Sequence, residues 1–256
     1  MGLDVPLEQV VALLLATIRT SAFLLLAPPF SHRAIPAQVK AMLALALGLA
    51  VMPDVPPALL ENGIDTGAMV VSAAQEVLVG SGLGFLVMCV FAAVRAAGDL
   101  LDLFGGFSMA FVFDPMTQSG SAIMGRTFQL TALALLFATD GYALVLAGLL
   151  RTFEVLPVGG ALDLDRLAAS GTAALTGLFL AALQVAAPMI AVLFLTDVGL
   201  GLLTRVAPAL NAFALGFPLK IMITLVVVGL AFVSLPGVVE GLVDDANRAV
   251  VGTAGG

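Results

Sequence analysis

Apolar residues along this chain do not alternate with polar ones but run together in long blocks, parted by short clusters of Pro, Gly and charge. The first block, Val10 to Phe30, is nearly continuous apart from Arg19 and closes on Pro28-Pro29, enough for a helix of about 20 residues that crosses a bilayer. A short basic connection, Ser31-His32-Arg33-Ala34-Ile35-Pro36, leads to Gln38–Met52, which is only marginally long enough to cross. Pro53 to Asp65 then holds acids and no Lys or Arg, the pattern of a non-cytoplasmic connection, which puts the basic one inside. From Ala68 to Phe104 the helical pattern outlasts any single crossing while carrying Gln75, Glu76, Arg95, Asp99 and Asp102. Such a helix is expected to bend or to extend beyond the membrane, with Gly80, Gly82 and Gly84 at the soft or closely packed point.

Beyond a central interruption, Ala122 to Ala138 reads as another apolar helix, broken at Asp140-Gly141 and resumed from Tyr142 to Leu150. Arg151 to Asp165, with Pro157 and Gly159-Gly160, is the best internal boundary and divides residues 1–160 from 161–256. A helix from Leu167 to Leu195 is expected to be interrupted at Pro188, followed by a connection from Thr196 to Pro218, a last long helix from Leu219 to Leu235 and a solvated tail from Pro236. No fixed-period repeat is visible, so self-similarity supports neither a solenoid nor an inverted-repeat transporter.

The interruption, Gly105 to Gly120, suits neither lipid nor water. Gly105-Gly106 can end a helix without a Cβ clash, and Pro115 bars Asp114 from helical geometry, so the connection is predicted to be non-helical. Yet it carries Phe107, Met109, Phe111, Phe113 and Met116. Irregular backbone cannot face lipid, and so much apolar surface does not suit a solvated loop. Burial inside protein, against a pore or a core, satisfies both constraints, with these side chains as sealing or packing groups.

Composition agrees with the pattern: 61% hydrophobic and 11% charged residues in a chain of 256, with a mean hydropathy of +1.16, describe an all-α polytopic membrane-associated protein with about six long apolar helices. The net charge of -7 and ten scattered Lys and Arg leave no basic stripe for nucleic acid. With no Trp and one Tyr the usual interfacial anchors are missing, which points to protein around many of the helices. Asp4 and Glu8 precede the first apolar block, so it does not read as a removable signal peptide.

Candidate chemistry is sparse. His32 is the only histidine and Cys89 the only thiol, which leaves no metal cluster, no catalytic triad and no disulfide; no cofactor is expected, and nothing supports an enzyme. Asp163, Asp165, Asp244 and Asp245 read as solvated loop or tail acids. Arg95, Asp99 and Asp102 fall at i, i+4 and i+7 on one helical face, either as a local ion pair or as part of an ion or proton path. Arg19 and Glu76 have no neighbour in sequence to neutralise them, so each is expected to pair with another helix or subunit, and Glu76 could equally serve a proton relay. Gly80 and Gly84 form a small-xxx-small pattern for close helix packing; with no strand before it and no Lys-Ser/Thr after it, the cluster is no phosphate loop.

Gly105-Gly-Phe-Ser-Met-Ala, then Phe113-Asp-Pro-Met and Ser119 to Gly125, resembles the central signature of the FliR family, the flagellar export-gate proteins called SctT in injectisomes. Gln75-Glu76, Gly80 to Phe85, Ala96 to Leu100 and Ala212 to Lys220 resemble the same family in the same order. The resemblance implies a component of the flagellar type III export gate, in the bacterial inner membrane at the basal body, through which unfolded flagellar subunits are secreted. It implies partners of the FliP, FliQ, FlhB and FlhA types. It implies a FliP-like portion at 1–160, a FliQ-like hairpin at 161–256, bent helical hairpins in a hetero-oligomer, and a plug at 105–120. A second reading, a secondary transporter using Glu76, Asp99 and Asp197 as coupling carboxylates, comes from a different class. A third is a scaffold that closes a ring without touching the conduit.

Overall fold

The computed structural model describes residues 7–51, 66–107, 122–160, 163–207 and 212–254. Among the described residues there are seven α-helices and no strand: α1 (Leu7–Leu26), α2 (Ala37–Val51), α3 (Thr66–Phe104), α4 (Ile123–Ala138), α5 (Gly141–Val155), α6 (Leu164–Val206) and α7 (Ala212–Ala254). Four of them, α1, α3, α6 and α7, are long and apolar enough to cross a membrane, and the bent pair α4 and α5 raises the number to five if it counts as one span. The acidic connection Pro53 to Asp65 lies outside the described residues.

The helices divide into two compact units, residues 1–90, 140–175 and 242–256 in the first and 91–139 and 176–241 in the second. In the first, α1 is the centre. The Thr20 hydroxyl, able to donate one hydrogen bond, lies 3.0 Å from Ala44 O on α2 and from Ala16 O on its own helix. Gly48 of α2 lets the side chain of Thr17 approach within 2.7 Å of where a Cβ would stand. On another side of α1, Gly80 and Gly84 of α3 bring backbone against backbone: a Cβ on Gly80 would run into Arg19 O, and one on Gly84 would sit 3.0 Å from Phe23 O. Leu15, Phe23, Leu24 and Leu83 fill this interior.

In the second unit α3 and α4 touch at Gly98, where a Cβ would stand 2.7 Å from Met124 O. Phe128 is fully buried, its ring centroid 5.5 Å from that of Phe232 on α7. Lys220 Nζ on α7 meets Asp197 Oδ1 on α6 at 2.7 Å.

Three expectations about the C-terminal third are corrected. Pro188 does not interrupt α6, and the connection expected over Thr196–Pro218 is mostly helix, because α6 runs on to Val206 and α7 begins at Ala212 with Pro218 inside it. The tail from Pro236 is helical as far as Ala254. The reason is a comparison of losses. A proline forfeits one backbone hydrogen bond, whereas ending a helix orphans about four N–H or four C=O groups, which an apolar environment cannot satisfy. In the tail, Leu235, Val239 and Val243 recur every fourth residue and are all buried, while Glu240, Asp244 and Asp245 stay exposed.

Burial differs sharply among the spans. The apolar window of α3 is 61% buried, but those of α6 and α7 are only 22% and 17% buried, with Phe179, Phe194, Leu230 and Val233 exposed.

Candidate functional site

The site begins where α3 stops. Gly105 N–H donates to Leu101 O at 2.7 Å, and Gly106 takes φ +84°, a left-handed conformation that suits glycine. Gly105 also has no room for a side chain, since a Cβ would lie 2.6 Å from Leu101 O and 2.7 Å from Thr224 Oγ1 on α7. The Phe217 ring, two turns earlier on α7, stands 3.8 Å from where a Cβ on Gly106 would be. Phe107 is half-buried. Met109, Phe111, Phe113 and Met116 lie outside the described residues.

Where the chain resumes, α4 needs a cap it cannot supply. Its N-cap residue, Ala122, has no side-chain acceptor for the first free N–H groups. Asp102, from the last turn of α3, supplies one: Oδ2 accepts from Met124 N–H at 2.9 Å and Gly125 N–H at 3.2 Å. The positive end of the α4 dipole reinforces this contact. Asp102 is therefore not part of a trio neutralised by Arg95. Arg95 Nε stands 3.8 Å from Asp99 Oδ2, with both side chains about half exposed, so that pair contributes little. The other oxygen of Asp99, Oδ1, faces Gly125 in the space a Cβ would occupy. Both ends of the Phe- and Met-rich connection are thus fastened to the last turns of one helix, upstream through Gly105 and Gly106, downstream through Asp102.

In the first unit, the two isolated charges of the sequence find each other. Arg19 on α1 and Glu76 on α3 are buried and joined twice, Nε to Oε2 at 2.5 Å and Nη2 to Oε1 at 3.1 Å. Both groups also bond to the end of α5. Arg19 Nη1 donates to Leu156 O at 2.8 Å, Gly159 N–H donates to Glu76 Oε1 at 3.0 Å, and the guanidinium lies 4.2 Å over the Phe153 ring. The site is a clamp that ties α1, α3 and the C-terminus of α5, with a cation where the helix dipole favours one. Glu76 accepts three hydrogen bonds in this clamp. Asp197, another carboxylate of the transporter reading, is engaged by Lys220.

Reasoning from sequence missed the Asp197–Lys220 pair and the capping role of Asp102. The first left only two lone charges in apolar surroundings as a signal; the second left a helix start without a Ser, Thr, Asp or Asn at its N-cap. Cys89 is buried, and His32 lies in the exposed connection after α1, its Nδ1 accepting from Ala34 N–H at 3.1 Å. No cluster of three or more metal-ligating side chains occurs among the described residues.

Residues 10–246 match the family described as Bacterial export proteins, family 1. The chain is similar to the flagellar biosynthetic protein FliR of Bacillus subtilis (strain 168), 35% identical over 84% of this chain and 83% of that protein. It is similar to FliR of Escherichia coli (strain K12), 34% identical over 80% and 78% respectively. It also resembles the secretion system apparatus protein SsaT of Salmonella typhimurium, 30% identical over 61% of each chain. By the extent of these matches the chain, with its long apolar helices, is a membrane component of the bacterial export proteins, family 1, and belongs to the FliR family.

Proposed function

We propose that this chain is a component of the flagellar type III protein export gate in the bacterial inner membrane, and that the connection 105–120 is its plug. The observation that carries the plug reading is that the Phe- and Met-rich connection is held at both ends, upstream where Gly105 packs against Leu101 O of α3 and Thr224 of α7, and downstream where Asp102 of α3 caps the α4 amides. A segment held in this way can seal a passage with Phe107, Met109, Phe111, Phe113 and Met116, be pushed aside by an unfolded substrate, and return. The thinly buried apolar faces of α6 and α7 leave surface on which lipid or partner helices in the membrane can pack. By family likeness these partners are FliP-type and FliQ-type subunits at the basal body, with FlhB-type and FlhA-type proteins nearby; residues 1–160 would play the FliP-like part and 161–256 the FliQ-like part.

Two measurements test this. Co-expression with FliP-type and FliQ-type subunits should yield a stable detergent-extracted hetero-oligomer containing this chain, and native mass measurement gives its composition. In that complex, Phe111→Ala with Phe113→Ala should raise leakage of small ions in reconstituted vesicles by at least tenfold. A complex that assembles normally and leaks no more than the parent would sink the plug assignment.

A further inference from the structure

The turn between α1 and α2 gathers positive charge where the chain holds no negative charge to meet it. His32 and Arg33 are exposed, Lys40 stands half-buried on the first turn of α2, and that turn carries no acid. Neither Arg33 nor Lys40 has an ion pair among the described residues. Between Glu8 and Asp54 the sequence has no Asp or Glu, although the whole chain carries a net charge of -7. Beside this end of α1, where Gly84 packs on Leu26 and Ala27, α3 has no acid from Val77 to Val90. The turn is held by its own backbone: Ser31 N–H donates to Ala27 O at 3.0 Å, and Ile35 N–H to His32 O at 3.2 Å. His32 Nδ1 accepts from Ala34 N–H, which places the proton of the neutral ring on Nε2 as a further donor.

Below the turn, α2 shows two unlike faces. Ala44 and Gly48 pack against Thr20 and Thr17 of α1. Val39, Met42, Leu45 and Leu49 lie within about a third of the helix circumference and are all exposed, Met42 by 71%. Gln38 is exposed at the head of the same stripe. From Val39 to Leu49 the stripe runs about 15 Å, half the thickness of a hydrocarbon core of about 30 Å and so the depth of one leaflet. At 15 residues α2 is itself too short to cross.

We infer that the α1–α2 turn and the outer face of α2 bind an acidic phospholipid. Its phosphodiester lies against Arg33, Gln38 and His32 Nε2, and one acyl chain follows Val39, Met42, Leu45 and Leu49. A guanidinium suits this head because its fork of donors matches two phosphate oxygens. Lys40 and the positive end of the α2 dipole add to the attraction from nearby. Charge complementarity and the length of the stripe select this occupant. A free phosphate would use the head and leave the stripe bare, and an apolar partner helix would cover the stripe and leave Arg33 without a counter-charge.

The test uses the full-length chain in mild detergent, alone and in its complex, and reads bound lipid rather than transport, so its outcome is separate from that of the export reading. Native mass measurement with phosphatidylglycerol or phosphatidylcholine of matched acyl chains should show the acidic lipid retained about tenfold more strongly. Arg33→Glu with Lys40→Glu should abolish that preference, whereas Arg166→Glu, an exposed arginine elsewhere, should leave it intact. Met42→Ser with Leu45→Ser should lower retention of both lipids and keep the preference. Equal retention of the two lipids, a preference that survives the double reversal or falls as far in Arg166→Glu, or displacement of the lipid by inorganic phosphate at equal concentration would overturn the proposal. So would a photoreactive residue at position 42 that, in native membranes, crosslinks to protein instead of lipid. Arg33→Gln, which should weaken the preference about fivefold, decides the matter if the double reversal does not accumulate.

Discussion

Arg19 shows what a single charge does inside an apolar helix. Alone it would be intolerable; joined to Glu76, to Leu156 O and to the face of Phe153, it becomes the point at which three helices meet. Removing one member of a buried pair strands the other and typically costs about 3–5 kcal/mol, whereas replacing both with apolar groups of similar volume is close to neutral. Arg19→Met and Glu76→Gln should therefore each lower the unfolding temperature of the extracted protein sharply, and Arg19→Met combined with Glu76→Leu should recover more than half of the loss. Equal damage from the single and double variants, in a thermal melt followed by size exclusion, would contradict this account. The need for partners was legible in the sequence, because lone charges of opposite sign in apolar blocks must be neutralised. Their identity was not, since it depends on α1 and α3 lying backbone to backbone and on the end of α5 arriving beside them.

Helices make the same point with glycine. Gly80 sits where a Cβ would strike Arg19 O, while Gly229 on α7 has nothing within 4 Å of its Cβ position. Gly80→Ala should destabilise the α1–α3 contact, and Gly229→Ala should be neutral or stabilise the extracted chain by roughly 0.5–1 kcal/mol, the usual gain in a helix interior. A melt in which the two substitutions behave alike would refute the packing role of Gly80. Small-xxx-small spacing made Gly80 and Gly84 candidates for close approach, but the spacing could not say that α1 was the neighbour. The prolines misled in the opposite direction. Pro188, Pro218 and Pro236 read as stops under rules learned from water-exposed helices, where a broken end is readily solvated. Between α6 and α7, the Asp197–Lys220 pair offers a direct check on the hairpin. Asp197→Lys and Lys220→Asp should each loosen the helix turn carrying Phe217 and Thr224, exposing its amides to hydrogen exchange. The double exchange of charges should restore protection, and failure to do so would mean that the pair does not hold the hairpin.

At the scale of the molecule, the all-helical, membrane-spanning character followed directly from blocks of apolar sequence, and the Phe- and Met-rich interruption was evident as the one stretch that suited neither lipid nor water. Its means of attachment was hidden. It relies on Asp102, which sequence spacing grouped with Arg95 and Asp99, and on Thr224 and Phe217, more than a hundred residues away.

The double fastening also fixes how far the connection can travel. Roughly fourteen residues separate Phe107 from Ala122, and at about 3.4 Å per extended residue a strand doubled back on two neighbouring anchors reaches no more than about 25 Å. On the plug reading proposed above, such a connection is a captive stopper, kept at high local concentration around its seat, so that reseating is a short intramolecular step. Freeing one anchor should lengthen the tether and slow that return more than it changes the resting seal. Asp102→Ala, which takes away the cap at a cost of about 0.5–2 kcal/mol to α4, should thus leave a gate that closes late after each substrate rather than one that stands open.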